Sequence, residues 1–312
     1  MELRGCEVEE RLRYSAPSQP RNFAASQLYA ILVRMDSSKR QTRLQFPRLV
    51  YRKAIVMPTE HGSWPWLLVP FAVGAGVAGQ FNLPVWLTLI GALAAFFMRQ
   101  PMTVLLRVQR GKARAADGPI AAGWILTFAL LGLLSLIGLI ALERSAMLVL
   151  IWPFLAILVM YLIAARYGRS GLRSLWMELA GAAALSMMAP AAAIAGNGRI
   201  IGWEWALWGI MAAQNVLGAL YVRLRVADTH NRAMRRWPVL AAHLIGLLAV
   251  IGLGMGELAP LAPAVPFIGY LIRAGWTAVA PRPVPNIKKF GFTELGIEIV
   301  SGLWILATYW LV

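Results

Sequence analysis

The sequence predicts an all-α protein, a polytopic bundle of about nine membrane-spanning helices. The chain is 59% hydrophobic and 14% charged, with a mean hydropathy of +0.62, whereas soluble domains are about 45–50% apolar and about 25% charged. Its apolar residues also form stretches close to the ~20 residues that a helix needs to cross the hydrocarbon core. The predicted spans are 64–80, 83–98, 119–141, 147–165, 175–195, 204–222, 238–256, 258–280 and 294–312.

Lys and Arg residues predict which way the bundle faces. They are concentrated in every second connection, with five, three, five and three in 99–118, 166–174, 223–237 and 281–293. The intervening connections contain only Arg144 and Arg199. Because cytoplasmic loops carry an excess of Lys and Arg, we expect the N-terminus and the four basic connections inside the cell and the C-terminus outside.

Residues 1–56 have a different composition from the rest. They contain eleven Lys or Arg and five Asp or Glu and have no long apolar stretch, so we expect a basic, disordered cytoplasmic leader before a membrane domain at 57–312. No apolar core precedes a small-residue cleavage site, which argues against a cleaved signal peptide. The membrane pattern begins directly after Met57, so Met35 and Met57 are alternative starts to Met1.

The net charge of +16 does not indicate nucleic acid as a partner, because the cations flank the spans and no nucleic-acid-binding module is legible. We expect contacts with anionic membrane lipids instead. The single cysteine, Cys6, excludes a disulfide framework and a Cys-based metal site. The sequence predicts no oligomeric state.

Gly and Pro residues predict close packing in two spans. Gly74 and its neighbouring glycines lie in the first span, and Gly181 and Pro190 lie in the fifth. Gly permits close backbone approach and Pro frees a carbonyl, so we expect tight helix contacts and a kink.

Polar side chains inside or beside spans are the candidate site residues, because a charge at the bilayer centre costs about 2.5–3.5 kcal/mol on insertion scales and needs a partner or a wet cavity. All lie toward the predicted cytoplasmic side. They are Glu60, His61, Arg99, Gln100, Arg107, Glu178, Asn215, Arg223, Arg225, Asp228, His243, Glu294 and Glu298. We therefore predict a polar pocket that opens to the cytoplasm, with an apolar outer half for lipid tails and with Glu60, Glu294 and Glu298 at its mouth.

Each candidate also has a purely structural interpretation. The helix dipole favours Glu60, Glu294 and Glu298 near helix N-termini. Arg223 and Arg225 can snorkel to the headgroups. A lone His243 is commonly a hydrogen-bonded interior residue. Glu178, among apolar neighbours, needs a cationic partner.

An ordered set of motifs resembles the YwiC-like family of bacterial membrane proteins. The opening motif runs from Pro58 to Trp64 with Pro70 after it. Further matches are Arg99-Gln100-Pro101, Glu178-Leu179-Ala180-Gly181, Tyr221-Val222-Arg223 and Gly291-Phe292-Thr293-Glu294. The resemblance covers about residues 57–312 and implies a multi-pass protein of the bacterial inner membrane, without assigning an activity.

The predicted architecture is also similar, more distantly, to the UbiA superfamily of intramembrane prenyltransferases. That resemblance implies an isoprenoid diphosphate held through Mg²⁺ on two Asp-rich motifs, at the cytoplasmic ends of spans two and six. This chain departs from the pattern there. It has Arg99, Gln100 and Arg107 with no carboxylate before Asp117 at the first position, and Arg223, Arg225 and Asp228 at the second.

Three hypotheses follow. In the first, a degenerate UbiA-like enzyme binds a lipid phosphate or diphosphate, Asp228 retains one Mg²⁺, and Glu178, His61 or His243 acts as acid or base. Its anion-binding residues are Arg99, Gln100, Arg107, Asn215, Arg223, Arg225 and Asp228. In the second, the protein binds an isoprenoid, quinone or phospholipid, or acts as a scaffold, without catalysis. In the third, it transports a small ion or solute.

Overall fold

The computed structural model describes residues 49–58, 63–166 and 174–311. Within these ranges every regular element is helical. The α-helices are α1 (Lys53–Val56), α2 (Ser63–Val77), α3 (Leu83–Gln109), α4 (Asp117–Ala141), α5 (Ile151–Arg166), α6 (Leu175–Leu185), α7 (Met188–Asn197), α8 (Trp203–Thr229), α9 (Trp237–Met255), α10 (Ala264–Val279) and α11 (Ile287–Trp310). A 3₁₀ helix, Ser145–Leu150, precedes α5.

Six helical segments are long and apolar enough to cross a membrane. They are α3, α4, α6 together with α7, α8, α9 and α11. Three shorter apolar helices are Ser63–Val77, Ser145–Ile157 and Ala264–Val279. The all-α prediction is thus confirmed for the described residues, which form a helical membrane protein.

Helix α8 lies at the centre of the largest apolar core. Its Leu207, Ile210 and Met211 are fully buried and pack with Phe267 of α10 and Ile305 of α11. The outer face of α4 has the opposite character. Large apolar side chains there are about half exposed, including Leu126, Leu130, Leu133, Leu134 and Ile137. An exposed apolar surface of this extent is suited to lipid rather than water.

Three helices extend further than predicted. Helix α3 continues to Gln109 and α8 to Thr229, while α11 begins at Ile287, where the side chain of Asn286 accepts a hydrogen bond from the Lys289 amide. The predicted loop positions of Arg99, Gln100, Arg107, Arg223, Arg225 and Asp228 are therefore wrong. Hydropathy marks the edge of the hydrocarbon, whereas Arg, Gln and Leu residues readily continue a helix beyond it.

The end of the predicted leader is ordered against the bundle. Residues 49–56 pack on α3 and α4 through buried Ile55 and Val56. Gln100 donates a hydrogen bond of 2.9 Å to the Ala54 carbonyl, and Arg52 pairs with Asp117 at 2.8 Å. This part of the predicted leader thus packs against α3 and α4.

The kink predicted in the fifth span is a break between α6 and α7. Pro190 lacks an amide hydrogen, and the Ser186 carbonyl accepts a hydrogen bond of 3.1 Å from the Ala189 amide. Polar side chains add further hydrogen bonds at the break. Ser186 Oγ donates to the Ala182 carbonyl at 2.9 Å, and Asn215 Nδ2 donates to Ser186 Oγ at 2.7 Å. Close approach at Gly74 is also confirmed, because a Cβ there would overlap the carbonyl oxygen of Ala189.

Candidate anion-binding cleft

A cleft of about 360 Å³ opens between the C-terminal half of α8, the C-terminal half of α10 and the connection that follows α10. We call it the arginine cleft. Its lining residues are Tyr221, Arg225, Gly269, Ile272, Arg273, Trp276, Thr277 and Arg282. Three guanidinium groups thus meet in one cavity whose walls are largely aromatic and aliphatic.

Arg273 is a largely buried cation of the cleft. It comes from the middle of α10, its side chain is 18% exposed, and it pairs with Glu294 of α11 at 2.8 Å. Its guanidinium also lies 4.2 Å from the ring centre of Tyr221 and 4.8 Å from that of Tyr270. Two ring faces and one carboxylate therefore fix its position.

Arg225 of α8 is held in the cleft by neutral partners. Its Nη1 donates to the hydroxyl of Tyr221 at 2.8 Å, and its Nε donates to the carbonyl of Arg282 at 2.8 Å. The ring of Phe290 lies 5.2 Å from the guanidinium. None of these contacts neutralises the charge, so Arg225 keeps its capacity to attract an anion.

Arg282 completes the cleft at its exposed rim. Its guanidinium lies over the ring of Trp276 at 4.6 Å, and both side chains are exposed. Planar guanidinium groups bind phosphate oxygens through several hydrogen bonds at once. The three arginines carry three positive charges, and Glu294, the partner of Arg273, offsets one of them. The remaining positive charge makes the cleft suited to an anion.

Asp228 has a structural role beside the cleft. Its two oxygens accept from the guanidinium of Arg236 and from the backbone amide of Arg282, the latter at 2.8 Å. Val284 N donates to Thr229 Oγ at 2.8 Å. These bonds tie the end of α8 to the segment that presents Arg282.

The magnesium arrangement implied by the UbiA resemblance does not fit the described residues. Asp117 pairs with Arg52, and Asp228 pairs with Arg236. Within the ranges that the structure describes, no group of three His, Cys, Asp or Glu side chains could hold a metal ion. Both carboxylates therefore already have cationic partners.

The other predicted site residues lie in different places. Glu178 pairs with Arg223 at 2.6 Å across α6 and α8, and neither residue lines the arginine cleft. Asn215 is buried at the helix break and donates to the carbonyl of Trp66 at 3.1 Å. Arg99 lies over the ring of Phe96 at 5.5 Å.

Two further predicted residues, Arg107 and His243, also lie away from the arginine cleft. Arg107 is exposed near the end of α3. His243 is fully buried on α9, with Nδ1 2.7 Å from the Val239 carbonyl. Glu60 and His61 lie outside the described residues. The structure thus brings Arg225 and Glu294 together around Arg273, whereas Glu178 belongs to a separate ion pair.

Two of the three cleft arginines, Arg273 and Arg282, are missing from the sequence-predicted set. Arg273 could have been predicted from the sequence, because it is a cation inside an otherwise apolar predicted span and such residues normally mark a functional site. Arg282 could not, because it resembles any other cation of a basic connection. Its place at the cleft depends on the hydrogen bond that its backbone amide donates to Asp228 and on the one that its carbonyl accepts from Arg225.

Comparison with known proteins agrees with the opening motif. Residues 57–193 match a sequence model of the family described as YwiC-like protein. The predicted resemblance to the YwiC-like family is confirmed. The chain is also 24% identical over 266 residues to a Bacillus subtilis (strain 168) protein named "Uncharacterized protein YwiC", covering 82% of this chain and 96% of the relative. No solved structure matches the chain. The arginine cleft lies beyond the residues matched by the YwiC-like family model.

Proposed function

We propose that this protein is a multi-pass protein of the bacterial plasma membrane that binds the phosphate group of a lipid in the arginine cleft. The observation that carries the proposal is the convergence of Arg225, Arg273 and Arg282 on one cavity of about 360 Å³. Such a cluster is stable with a bound anion, and phosphate matches the hydrogen-bonding geometry of guanidinium groups.

A lipid is favoured over a soluble anion by the surface next to the cleft. Apolar side chains form an exposed stripe along α10 that ends at the cleft: Val265, Ile268, Ile272, Trp276 and Val279. Their spacing of three or four residues places them on one face of the helix. A lipid tail would lie along this stripe, with its phosphate among the arginines.

The proposal includes a topology of nine crossings with the N-terminus inside. The two basic connections predicted at 223–237 and 281–293 are joined to each other, since the amide of Arg282 donates to Asp228 and the amide of Val284 donates to Thr229. Exposed Trp237 begins α9, and exposed Trp276 lies near the C-terminal end of α10. Because consecutive membrane helices run in opposite directions, both would lie at the same headgroup layer, where tryptophan is enriched. The cleft would then open toward the phosphates of the inner leaflet.

We infer binding rather than prenyl transfer as the role of the cleft. A transferase of the UbiA kind needs free carboxylates for Mg²⁺, and Asp117 and Asp228 are both engaged by arginine. An isoprenoid phosphate is as suitable a ligand as a phospholipid, whereas a quinone offers the arginines no phosphate. Mg²⁺-dependent release of diphosphate would favour the transferase, and ion-coupled flux in liposomes would favour a transporter.

A binding titration tests the proposal. The detergent-purified full chain is titrated with dihexanoyl phosphatidate, a short-chain lipid phosphate, and its intrinsic tryptophan fluorescence is recorded. We expect saturable binding that Arg225→Ala with Arg282→Ala weakens by roughly tenfold or more, because each lost charged hydrogen bond contributes about 1.5–3 kcal/mol.

The matched control is Arg235→Ala, an exposed arginine close in sequence to α9 that does not line the cleft. This variant should bind as the unchanged protein does. Equal affinity of the double variant and the unchanged protein would contradict the proposal, provided that both elute as folded monodisperse species.

A further inference from the structure

Two carboxylates lie one helical turn apart beside the arginine cleft. Glu294 and Glu298 are both on α11, and Glu294 pairs with Arg273 at 2.8 Å. Glu298 Oε1 is buried and has no hydrogen-bond partner among the residues that the structure describes. The side chain of Tyr270 interacts electrostatically with Arg273, Glu294 and Glu298, so the four groups form one cluster.

In the part of the chain that the structure describes, few cations face this cluster. From α10 it faces Arg273 and Tyr270, and from α9 it faces His243, whose Nδ1 is bonded to a carbonyl. From α8 come Gln214, Tyr221 and Arg225, of which Gln214 donates to the Glu298 backbone carbonyl at 3.1 Å. The described residues of α2, Ser63–Val77, carry no ionisable side chain.

Arg273 is therefore shared between two functions. It lines the cleft in which an anion would bind, and it is the ion-pair partner of Glu294. A bound phosphate and the Glu294 carboxylate would compete for hydrogen bonds from the same guanidinium group. Any anion that draws Arg273 toward itself leaves Glu294 without its cation and beside a second carboxylate, Glu298. Two like charges that close bind a proton more tightly.

We propose that the lipid phosphate and Glu294 compete for Arg273, so that anion binding in the cleft is accompanied by proton uptake at the Glu294 and Glu298 carboxylates. The proton passes from water to a carboxylate oxygen as the ion pair loosens. This inference rests on the proposed lipid-phosphate site and adds its regulation: Glu294 acts as an internal competitor of the ligand.

Proton binding and anion binding affect each other equally, so the pH dependence of the anion affinity has a definite sign. If binding causes proton uptake, lower pH strengthens binding by the same linkage. Replacing Glu294 by Gln removes the competitor, which is also the carboxylate that would lose its cation on binding. The remaining Glu298 has no ion pair with Arg273 to lose, so binding should no longer drive proton uptake. Replacing Glu298 by Gln keeps the ion pair but removes the neighbouring carboxylate, and it should lower the uptake without abolishing it.

Titration calorimetry in two buffers of different ionisation enthalpy tests the inference. The probe is dihexanoyl phosphatidylglycerol, whose phosphodiester does not itself titrate near neutral pH. The unchanged protein should give buffer-dependent binding enthalpies. Glu294→Gln should give buffer-independent enthalpies and roughly tenfold tighter binding, and Glu298→Gln an intermediate buffer dependence. Glu257→Gln, an exposed carboxylate beyond α9, should behave as the unchanged protein.

The outcomes separate the two proposals. Saturable binding without proton uptake in the unchanged protein, or weaker binding by a folded Glu294→Gln variant, would overturn the competition while leaving the lipid-phosphate site intact. Failure of the unchanged protein to bind either short-chain lipid would overturn the proposed function, and with it this inference.

Discussion

Arg273 of α10 and Glu294 of α11 form an ion pair of 2.8 Å in which the two side chains are only 18% and 15% exposed. The pair lies between the arginine cleft and the apolar core, so it connects the candidate site to the stability of the bundle. Removing one member of such a pair leaves an uncompensated charge in a poorly solvated place.

Loss of Arg273 alone should therefore destabilise the protein more than loss of both partners. We expect Arg273→Met to lower the free energy of unfolding by about 3 kcal/mol, and Arg273→Met with Glu294→Gln to restore most of that loss. Thermal unfolding of the variants in one detergent measures the difference. Additive losses in the double variant would show that the two side chains do not depend on each other.

Arg223 and Arg225 are two residues apart on α8 and should behave differently. Arg223 pairs with Glu178 at 2.6 Å away from the cleft, whereas Arg225 lines it. We expect Arg225→Ala to weaken lipid-phosphate binding by roughly tenfold and Arg223→Ala to leave it unchanged, measured by fluorescence titration. A larger effect of Arg223→Ala would place the anion on the other face of α8.

Helix packing at Gly74 gives a test that is independent of the ligand. A Cβ at this position would overlap the backbone carbonyl of Ala189, which cannot rotate away, whereas at Gly132 it would meet open space. We expect Gly74→Ala to destabilise the protein by about 1–3 kcal/mol and Gly132→Ala to be neutral or slightly stabilising. Unfolding temperatures of the two variants give the comparison, and equal values would contradict the α2 and α7 contact.

The proposed topology predicts which side of the membrane each connection faces. In a Cys6→Ser background, single cysteines at Lys112 and Arg232 should be protected from an impermeant thiol reagent in intact cells, and a cysteine at Arg199 should react. Permeabilised cells serve as the control for reactivity. Labelling of position 112 and position 232 from opposite sides would overturn the orientation.

Helix positions could be predicted from the sequence better than helix ends. Apolar stretches locate the part of a helix that lies in hydrocarbon, because hydropathy and length decide what can cross a membrane. They do not locate the last turns. Residues from Arg99 to Gln109 continue α3 to a left-handed Gly111, and those from Arg223 to Thr229 continue α8.

The candidate site could be predicted only in part, because its residues come together through tertiary contacts. Arg225, Asp228 and Glu294 could be predicted because they are charged residues in or beside apolar spans. The partner of each, however, depends on how the helices pack. The chain reverses after α8 through a left-handed Asn231, and this turn brings Arg236 back to Asp228. No spacing rule in the sequence distinguishes that ion pair from a metal ligand.

The central claim, that the arginine cleft holds a lipid phosphate, is tested most directly by mass spectrometry of lipids retained on the protein after purification from its membrane in mild detergent. We expect a phosphate-bearing lipid on the unchanged protein and on Arg235→Ala, and its loss from the Arg225→Ala and Arg282→Ala double variant. Retention of the same lipid in the same amount by a folded double variant would contradict the claim.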